Sequence, residues 1–214
     1  MSTITLKAIV PEKWEFTIKS ISPMIQHAWS EKGLRQMRMT PIERKKQPKV
    51  ARDPESESES ARYRTSDGRS GIHIFAFKSS LISAAHKDFG LEKTLLRKAL
   101  FVPCSDPGNI IPIMADEPVI REDIVKVGMS QTDLRYRPEF AQWSAVIEIQ
   151  IDSELLTISD VIKLTDRAGF GVGIGEWRPE KGGEYGRFCV DQTKPVVQLA
   201  GDGEISAQEQ RDGD

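Results

Sequence analysis

Apolar and polar side chains alternate along two parts of the chain. Trp14, Phe16 and Ile18 alternate with polar residues, and residues 143–151 repeat the pattern over a longer run. This period of two predicts strands that turn one face to the core. Residues 71–76, 185–190 and 196–199 are short apolar runs that predict further strands, and residues 100–127 are rich enough in Ile, Val and Pro to hold several more.

Two segments carry helix signals. Ser79 and Ser80 precede an apolar helical pattern that runs to Phe89, where Gly90 supplies a C-cap, and residues 92–99 can add a further turn or two. Thr157 and Asp160 have the spacing of a capping box, and the apolar helical face that follows ends at Gly169. Each helix lies between strands.

This order predicts an α+β fold with a ferredoxin-like (RRM-like) core, in which two strand–helix units share one sheet. The predicted domain covers residues 1–200 and has a C-terminal glycine-rich loop and a long basic insertion after the first strand. The insertion, at about residues 32–70, is expected to be flexible. Its run of alternating Glu and Ser at residues 55–60 is expected not to pack.

The net charge of −2 hides a strong asymmetry. Residues 32–52 hold eight basic residues and one acid, a local balance of +7, whereas residues 201–214 hold five acids and one base, a balance of −4. The acidic tail has one Ile and no aromatic residue, so it is predicted to be disordered. Two roles are open for this tail: it increases solubility, or its acidic residues shield a basic groove of the domain.

Other features limit the class of protein. Cys104 and Cys189 have neither metal-ligand spacing nor a paired His, and the chain has no Walker or dinucleotide-binding motif, so we expect no metal and no cofactor. With 38% hydrophobic residues, a mean hydropathy of −0.40 and no long apolar run, the chain is expected to be cytoplasmic, without a membrane partner.

Seven of the 16 glycines lie between Gly169 and Gly186, and we expect their backbone amides to be exposed to phosphates or sugars. Cations and rings alternate in this loop and in two triplets, a pattern that suits single-stranded nucleic acid. A cation packed on a ring in a surface hairpin is the structural alternative. The candidate binding residues are Arg44, Lys45, Lys46, Lys49, Arg62, Tyr63, Arg64, Arg135, Arg137, Gly173, Gly175, Trp177, Arg178, Lys181, Tyr185 and Arg187.

Three segments resemble the RAMP proteins of CRISPR systems, most of all the backbone subunits that coat guide RNA. They are FTIKSISPMIQH at residues 16–27, IHIFAFKSSLISAAH at residues 72–86 and GVGIGEWRPEKGGEYGRF at residues 171–188. The last departs from common RAMP loops by holding an internal EWRPEKGG hairpin. The resemblance implies that RNA or single-stranded DNA binds across the sheet face and the glycine loop, with the insertion as a finger and copies side by side on the strand.

We therefore expect a non-catalytic binder of single-stranded nucleic acid, RNA before DNA, that self-associates along the strand. Two alternatives stay open. The resemblance also covers RAMP enzymes that cut RNA without a metal, and His27 is the candidate catalytic residue for that activity, with Tyr63, His86 and Lys87 as helpers. Asp53 offers another route, because some backbone subunits cleave with an acidic residue in a loop after the first strand. The other alternative is a mimic of a CRISPR backbone subunit, of phage or mobile-element origin, that binds CRISPR-type subunits and interferes with their assembly.

Overall fold

The computed structural model describes residues 9–29, 31–40, 42–43, 51–127 and 131–200. The strands in chain order are β1 (Pro11–Ser20), β2 (Met24–Ile25), β3 (Gly71–His73), β4 (Leu100–Phe101), β5 (Ile110–Pro112), β6 (Met114–Ala115), β7 (Val119–Val127), β8 (Gln131–Phe140), β9 (Trp143–Asp152), β10 (Phe188–Val190) and β11 (Val197–Leu199). The α-helices are α1 (Glu31–Arg38), α2 (Pro54–Ser60), α3 (Ile74–Phe89), α4 (Lys93–Ala99) and α5 (Ile158–Gly171). The predicted α+β class is confirmed.

The main sheet is antiparallel and has the strand order β10–β1–β9–β4, with β11 also paired to β1 and β6 to β9. Phe16 lies opposite Ile147, and Ile18 lies opposite Ala145, so the apolar positions of β1 and β9 share one face of the sheet. Helices α3 and α5 cover that face with buried side chains that include Leu81 and Val161. The two alternating runs in the sequence thus predict the central strands correctly.

The helix signals have the predicted effect with shifted bounds. Thr157 and Asp160 form the capping box at the start of α5, which ends at Gly171 rather than Gly169. Gly90 takes a left-handed C-cap conformation after α3, with φ of 66°. Helix α3 begins at Ile74 and not near Ser79, because the His73 ring caps it by accepting from the backbone N–H of Phe75. The predicted strand of residues 71–76 therefore stops at His73.

The expectation that the Glu–Ser run at residues 55–60 does not pack is wrong. Asp53 caps α2 by accepting from the backbone N–H groups of Glu55 and Ser56, and Pro54 occupies the first turn, where a missing N–H costs little. Ser58 is buried on the side that faces β8. An acidic first turn also suits the positive end of the helix dipole.

A second antiparallel sheet, β2–β8–β7, lies beside the main one and carries the second basic-aromatic triplet on β8. Residues from Val119 to Val127 pair with residues from Gln131 to Glu139 in a long hairpin. The end of this sheet meets the segment of residues 172–187, because Ile25 of β2 bridges to Glu176. The predicted closing strand 185–190 is shorter than expected and begins at Phe188.

Candidate functional site

A cavity of about 160 Å³ lies where β2, the start of α3 and residues 174–178 meet. Apolar residues form part of its lining: Met24, Ile72, Ala76 and Ile174. Polar residues form much of the rest: Gln26, His27, Tyr63, His73, Glu176 and Arg178. Three of the sequence-predicted residues, Tyr63, Gly175 and Arg178, are thereby brought together with His27, the candidate for catalysis.

His27 is held at the cavity by Arg135 of β8. The Nη1 atom of Arg135 lies 3.2 Å from the Nε2 atom of His27. Because a guanidinium only donates hydrogen bonds, Nε2 accepts and the neutral ring carries its proton on Nδ1. Partial burial of the ring, together with the charge of Arg135, lowers the pKa of His27. The ring is therefore uncharged at neutral pH.

The backbone of Tyr63, which also lines the cavity, is held by Gln26. The buried Gln26 side chain accepts from the backbone N–H of Tyr63 at 3.0 Å and donates to the carbonyl of Gly71 at 2.8 Å. Burial raises the pKa of the Tyr63 phenol. At neutral pH Tyr63 thus presents a protonated hydroxyl, which can donate as well as accept.

His73 and Phe75 place aromatic surface beside Tyr63. The rings of His73 and Phe75 are stacked, with centroids 4.9 Å apart and planes 23° from parallel. Tyr63 meets His73 edge to face at 6.2 Å. Phe75 is 62% exposed, an unusual state for a Phe at the first turn of a helix whose interior positions are buried. The ring is free of the core and available for stacking.

The cations of the first triplet are largely neutralised by nearby acids. Arg62 has a side chain only 9% exposed, and it donates to Glu117 at 3.0 Å and to the Ser70 hydroxyl at 2.6 Å. Arg64 pairs with Glu59 at 2.5 Å but keeps 37% of its side chain exposed. Arg62 would have to leave the interior to contact a ligand, whereas Arg64 is already exposed and can contact one directly.

Arg137 of the second triplet is buried, with 1% of its side chain exposed. Its Nη2 atom lies 2.6 Å from Asp123, its Nη1 atom lies 3.5 Å from Glu176, and its guanidinium carbon lies 5.3 Å from the centre of the Trp177 ring. Arg137 therefore acts on the site through Glu176 and Trp177. This agrees with the structural alternative, a cation packed on a ring.

Arg121 of β7, which the sequence did not single out, completes this arrangement. Its guanidinium carbon lies 5.2 Å from the Trp177 ring centre and 4.9 Å from that of Tyr185, and it donates to the Tyr185 hydroxyl at 2.9 Å. Arg121 also pairs with Asp123 and Glu139, both at 2.8 Å. The sequence does contain one signal for this arrangement. Arg121 and Asp123 are two residues apart, and in a strand such residues lie on the same face, where they can form an ion pair.

The glycines of residues 169–187 serve close packing, and the expectation that their amides are exposed is wrong for most of them. The amides of Gly173, Gly182, Gly183 and Gly186 all donate to backbone carbonyls within the protein. A Cβ on Gly186 would lie 1.7 Å from the carbonyl oxygen of Ile174, and a Cβ on Gly183 would lie 1.8 Å from that of Trp177. The segment is a compact loop containing a 3-10 turn at Pro179–Lys181.

The remaining predicted residues of this loop differ in exposure. Trp177 is 38% exposed and takes a positive φ of 48°, while Lys181 is exposed. Arg178 donates to Glu180 at 3.0 Å and to the carbonyl of Gly175 at 3.1 Å. Arg187 packs its guanidinium 4.9 Å from the Phe170 ring centre. Arg44, Lys45, Lys46 and Lys49 lie outside the described residues.

The outer face of the main sheet is less suited to nucleic acid than the resemblance implies. Glu15 lies directly opposite Glu148 at its centre, next to exposed Val146. Two carboxylates in facing positions repel each other and repel phosphates. Among aromatic residues of this face, Phe101 lies at the β4 edge. The cavity lining, by contrast, brings His27, Tyr63, His73 and Arg178 together.

The described part of the chain shows neither a metal-binding cluster nor a membrane-spanning helix. It contains no group of three or more His, Cys, Asp or Glu side chains placed to hold a metal ion. No helix within the described ranges is long and apolar enough to cross a membrane.

No model of a known protein family matches the sequence, and no curated protein matches it either.

Proposed function

We propose that this protein binds single-stranded nucleic acid, in the first place RNA, along the rim of the cavity. The observation that carries the proposal is the exposed Phe75 ring stacked on His73, next to Tyr63 and an open cavity. Unpaired bases stack on such rings whatever their identity, and each stack contributes about 1–3 kcal/mol. Trp29, two residues past His27 in the chain, is another exposed ring, with 67% of its surface accessible.

Cations around the rim support the same proposal. Arg64 and Arg135 keep 37% and 31% of their side chains exposed, and Lys181 lies at the surface of the neighbouring loop. The basic stretch of residues 32–52 lies in the chain between β2, which contributes Met24 to the cavity lining, and α2. Phosphates that follow a strand of stacked bases would meet these charges. The acidic pair on the outer face of the sheet favours the rim over that face.

We also infer that the core is ferredoxin-like and of the RAMP type. The strand order β10–β1–β9–β4, with α3 after β1 and α5 after β9 on the same face, supports this inference, because it corresponds to a split β-α-β motif. In a RAMP protein the C-terminal loop would lie beside the bound strand, as residues 174–178 lie beside the cavity. Assembly of several copies along one strand belongs to this proposal.

Fluorescence anisotropy with a labelled, unstructured oligoribonucleotide tests the proposal. We expect binding at low salt that weakens steeply as salt is added, because phosphate contacts release counterions. Phe75→Ala should weaken binding about 5-fold or more, as the loss of one stacked base predicts. Phe89→Ala is the matched control, since Phe89 is 53% exposed at the other end of the same helix. Absence of binding, or equal effects of the two substitutions, would overturn the proposal and favour the protein-interaction alternative.

Metal-independent RNA cleavage is a second candidate, because His27 and Tyr63 line the same cavity. In-line attack of a 2'-hydroxyl needs a base and an acid near one phosphate. An uncharged His27 could be the base once its Nε2 atom is released from Arg135, and the protonated Tyr63 could be the acid. Incubation of labelled RNA in EDTA tests this candidate. If this candidate is right, the wild-type protein produces cleavage products, and His27→Ala produces none although it still binds RNA. If the RNA stays intact with the wild-type protein, the candidate is excluded.

A further inference from the structure

The size of the cavity restricts what can enter it. Its volume of about 160 Å³ is below the ordinary range for small-molecule sites, which is roughly 300–1,000 Å³. It is close to the volume of roughly 150 Å³ that holds a benzene molecule in an engineered apolar cavity. The volume is therefore sufficient for one six-membered ring. A pyrimidine base is one such ring, whereas a purine has a second ring fused to it.

Glu176 places a negative charge at this cavity. Its side chain is 42% exposed, and its Oε2 atom lies 3.5 Å from Nη1 of the buried Arg137. The backbone N–H of Glu176 donates to the Ile25 carbonyl at 2.9 Å, which fixes the chain at this point. Glu176 lines the cavity together with His27 and Tyr63. An ionised carboxylate only accepts hydrogen bonds.

Donors lie elsewhere on the same lining. Arg178 uses part of its guanidinium on Glu180 and on the Gly175 carbonyl, and it has five N–H groups in all. The Tyr63 hydroxyl supplies a further donor. The cavity thus presents an acceptor at Glu176 and donors at Arg178 and Tyr63, around a space for one ring.

We propose that this cavity receives one unpaired cytosine base of the bound strand, with Glu176 accepting a hydrogen bond from its N4 amino group. The carbonyl oxygen O2 of the base would then face donors such as Arg178 and Tyr63. Uracil carries an oxygen where cytosine carries the amino group, so the carboxylate repels it. This inference rests on the proposed binding of single-stranded nucleic acid and adds a base preference to it.

Competition between oligonucleotides tests the inference. The probe is an oligouridine of about 12 nucleotides, within the range of single-strand site sizes, and the competitor carries one central cytidine in the same sequence. We expect the cytidine-containing strand to bind about tenfold more tightly, the discrimination of one good base contact. Glu176→Gln should abolish the preference, because a carboxamide can donate to uracil O4 as well as accept from cytosine N4.

Glu184→Gln is the matched control, because Glu184 is an 88% exposed acid on the same segment. It should keep the cytidine preference. Deoxyuridine strands with and without one deoxycytidine distinguish a base contact, which persists in DNA, from a contact to the 2'-hydroxyl. Free cytidine monophosphate distinguishes a strand from a free nucleotide, and it should compete far more weakly than the strand.

The outcomes separate this inference from the function on which it rests. Equal wild-type affinity for the uridine and cytidine strands overturns the cytosine site and leaves single-strand binding standing. Preference for a central purine, equal loss of preference in Glu176→Gln and Glu184→Gln, or free cytidine monophosphate competing as well as the strand also overturns it. Failure of every oligonucleotide to bind overturns both. The comparison of wild-type affinities for the uridine and cytidine strands tests the cytosine site even if Glu176→Gln does not fold.

Discussion

The Nη2 atom of Arg137 lies 2.6 Å from Oδ2 of Asp123, and neither side chain is more than 4% exposed. The pair joins the two long strands β7 and β8 beneath Trp177. A buried ion pair adds little net stability, but removing one partner leaves an uncompensated charge in the interior. Of its two acidic partners in the described part of the chain, Arg137 would then keep the more distant one, Glu176.

Asp123→Ala should therefore lower the free energy of unfolding by about 3–5 kcal/mol. Denaturant unfolding followed by circular dichroism measures the change. Asp133→Ala is the control on the same hairpin, because Asp133 pairs with Arg52 and is 38% exposed. Its expected cost is below about 1 kcal/mol, as for other surface pairs. Similar costs for the two substitutions would contradict a structural role for the buried pair.

The facing carboxylates of Glu15 and Glu148 predict a stabilising substitution. Glu148→Lys turns a repulsive cross-strand pair into an attractive one and should raise the free energy of unfolding by up to about 1 kcal/mol. The gain should shrink as salt screens the charges. Glu148→Gln removes the repulsion alone and should give a smaller gain. A loss of stability in both variants would show that the pair is not repulsive.

The same substitution tests the position of the nucleic-acid interface. If the strand follows the cavity rim, Glu148→Lys on the outer sheet face should leave the affinity for single-stranded RNA within about 2-fold of wild type, since the new charge lies away from the phosphates. Anisotropy titrations at one salt concentration measure the affinity. A large increase would instead favour the sheet face that the family resemblance implies.

The strands and caps were predictable because their signals are local. Alternation in residues 143–151 and the Thr157–Asp160 spacing each determine a conformation within a few residues. The cavity was not predictable, because it is formed by three segments far apart in sequence that include His27, Tyr63 and Glu176. Arg137 looked like a surface cation, since its partner Asp123 lies across a strand pair whose register no local pattern specifies.

The sequence shows how densely the glycines of this segment are placed, but it did not predict their structural role. Their density in residues 169–187 suggested amides exposed to a ligand, whereas the Cβ positions show that backbone segments approach too closely for any side chain. Gly186→Ala should cost about 3 kcal/mol or more, because its Cβ would lie 1.7 Å from the Ile174 carbonyl oxygen and its φ is +67°.

Gly182→Ala separates the two causes, since Gly182 has a positive φ of 79° but open space around its Cβ. Only backbone strain remains at this position, and its expected cost is roughly 1–2 kcal/mol. Thermal unfolding of both variants under the same conditions makes the comparison. If Gly186→Ala is no more destabilising than Gly182→Ala, close packing is not what requires glycine at residue 186.

Glu180 predicts how stability depends on acid. Its carboxylate accepts from the Ser83 hydroxyl at 2.6 Å, from Lys87 at 3.0 Å and from Arg178 at 3.0 Å, which ties the 3-10 turn to α3. These hydrogen bonds, that of Ser83 first, lower the pKa of Glu180 from 4.5 to about 2. Because the folded pKa is the lower one, the stabilisation is complete above about pH 4.5 and is lost as the pH falls towards 2.

Replacing Glu180 by Gln should remove this contribution, which amounts to at most about 3 kcal/mol. The free energy of unfolding of Glu180→Gln should then fall less steeply between about pH 4.5 and 2 than that of the wild type. Denaturant unfolding at several pH values measures both slopes, and Glu184→Gln serves as the control for loss of an exposed carboxylate. Equal slopes for Glu180→Gln and the wild type would contradict the assignment, because no other group in the variant replaces the lost titration.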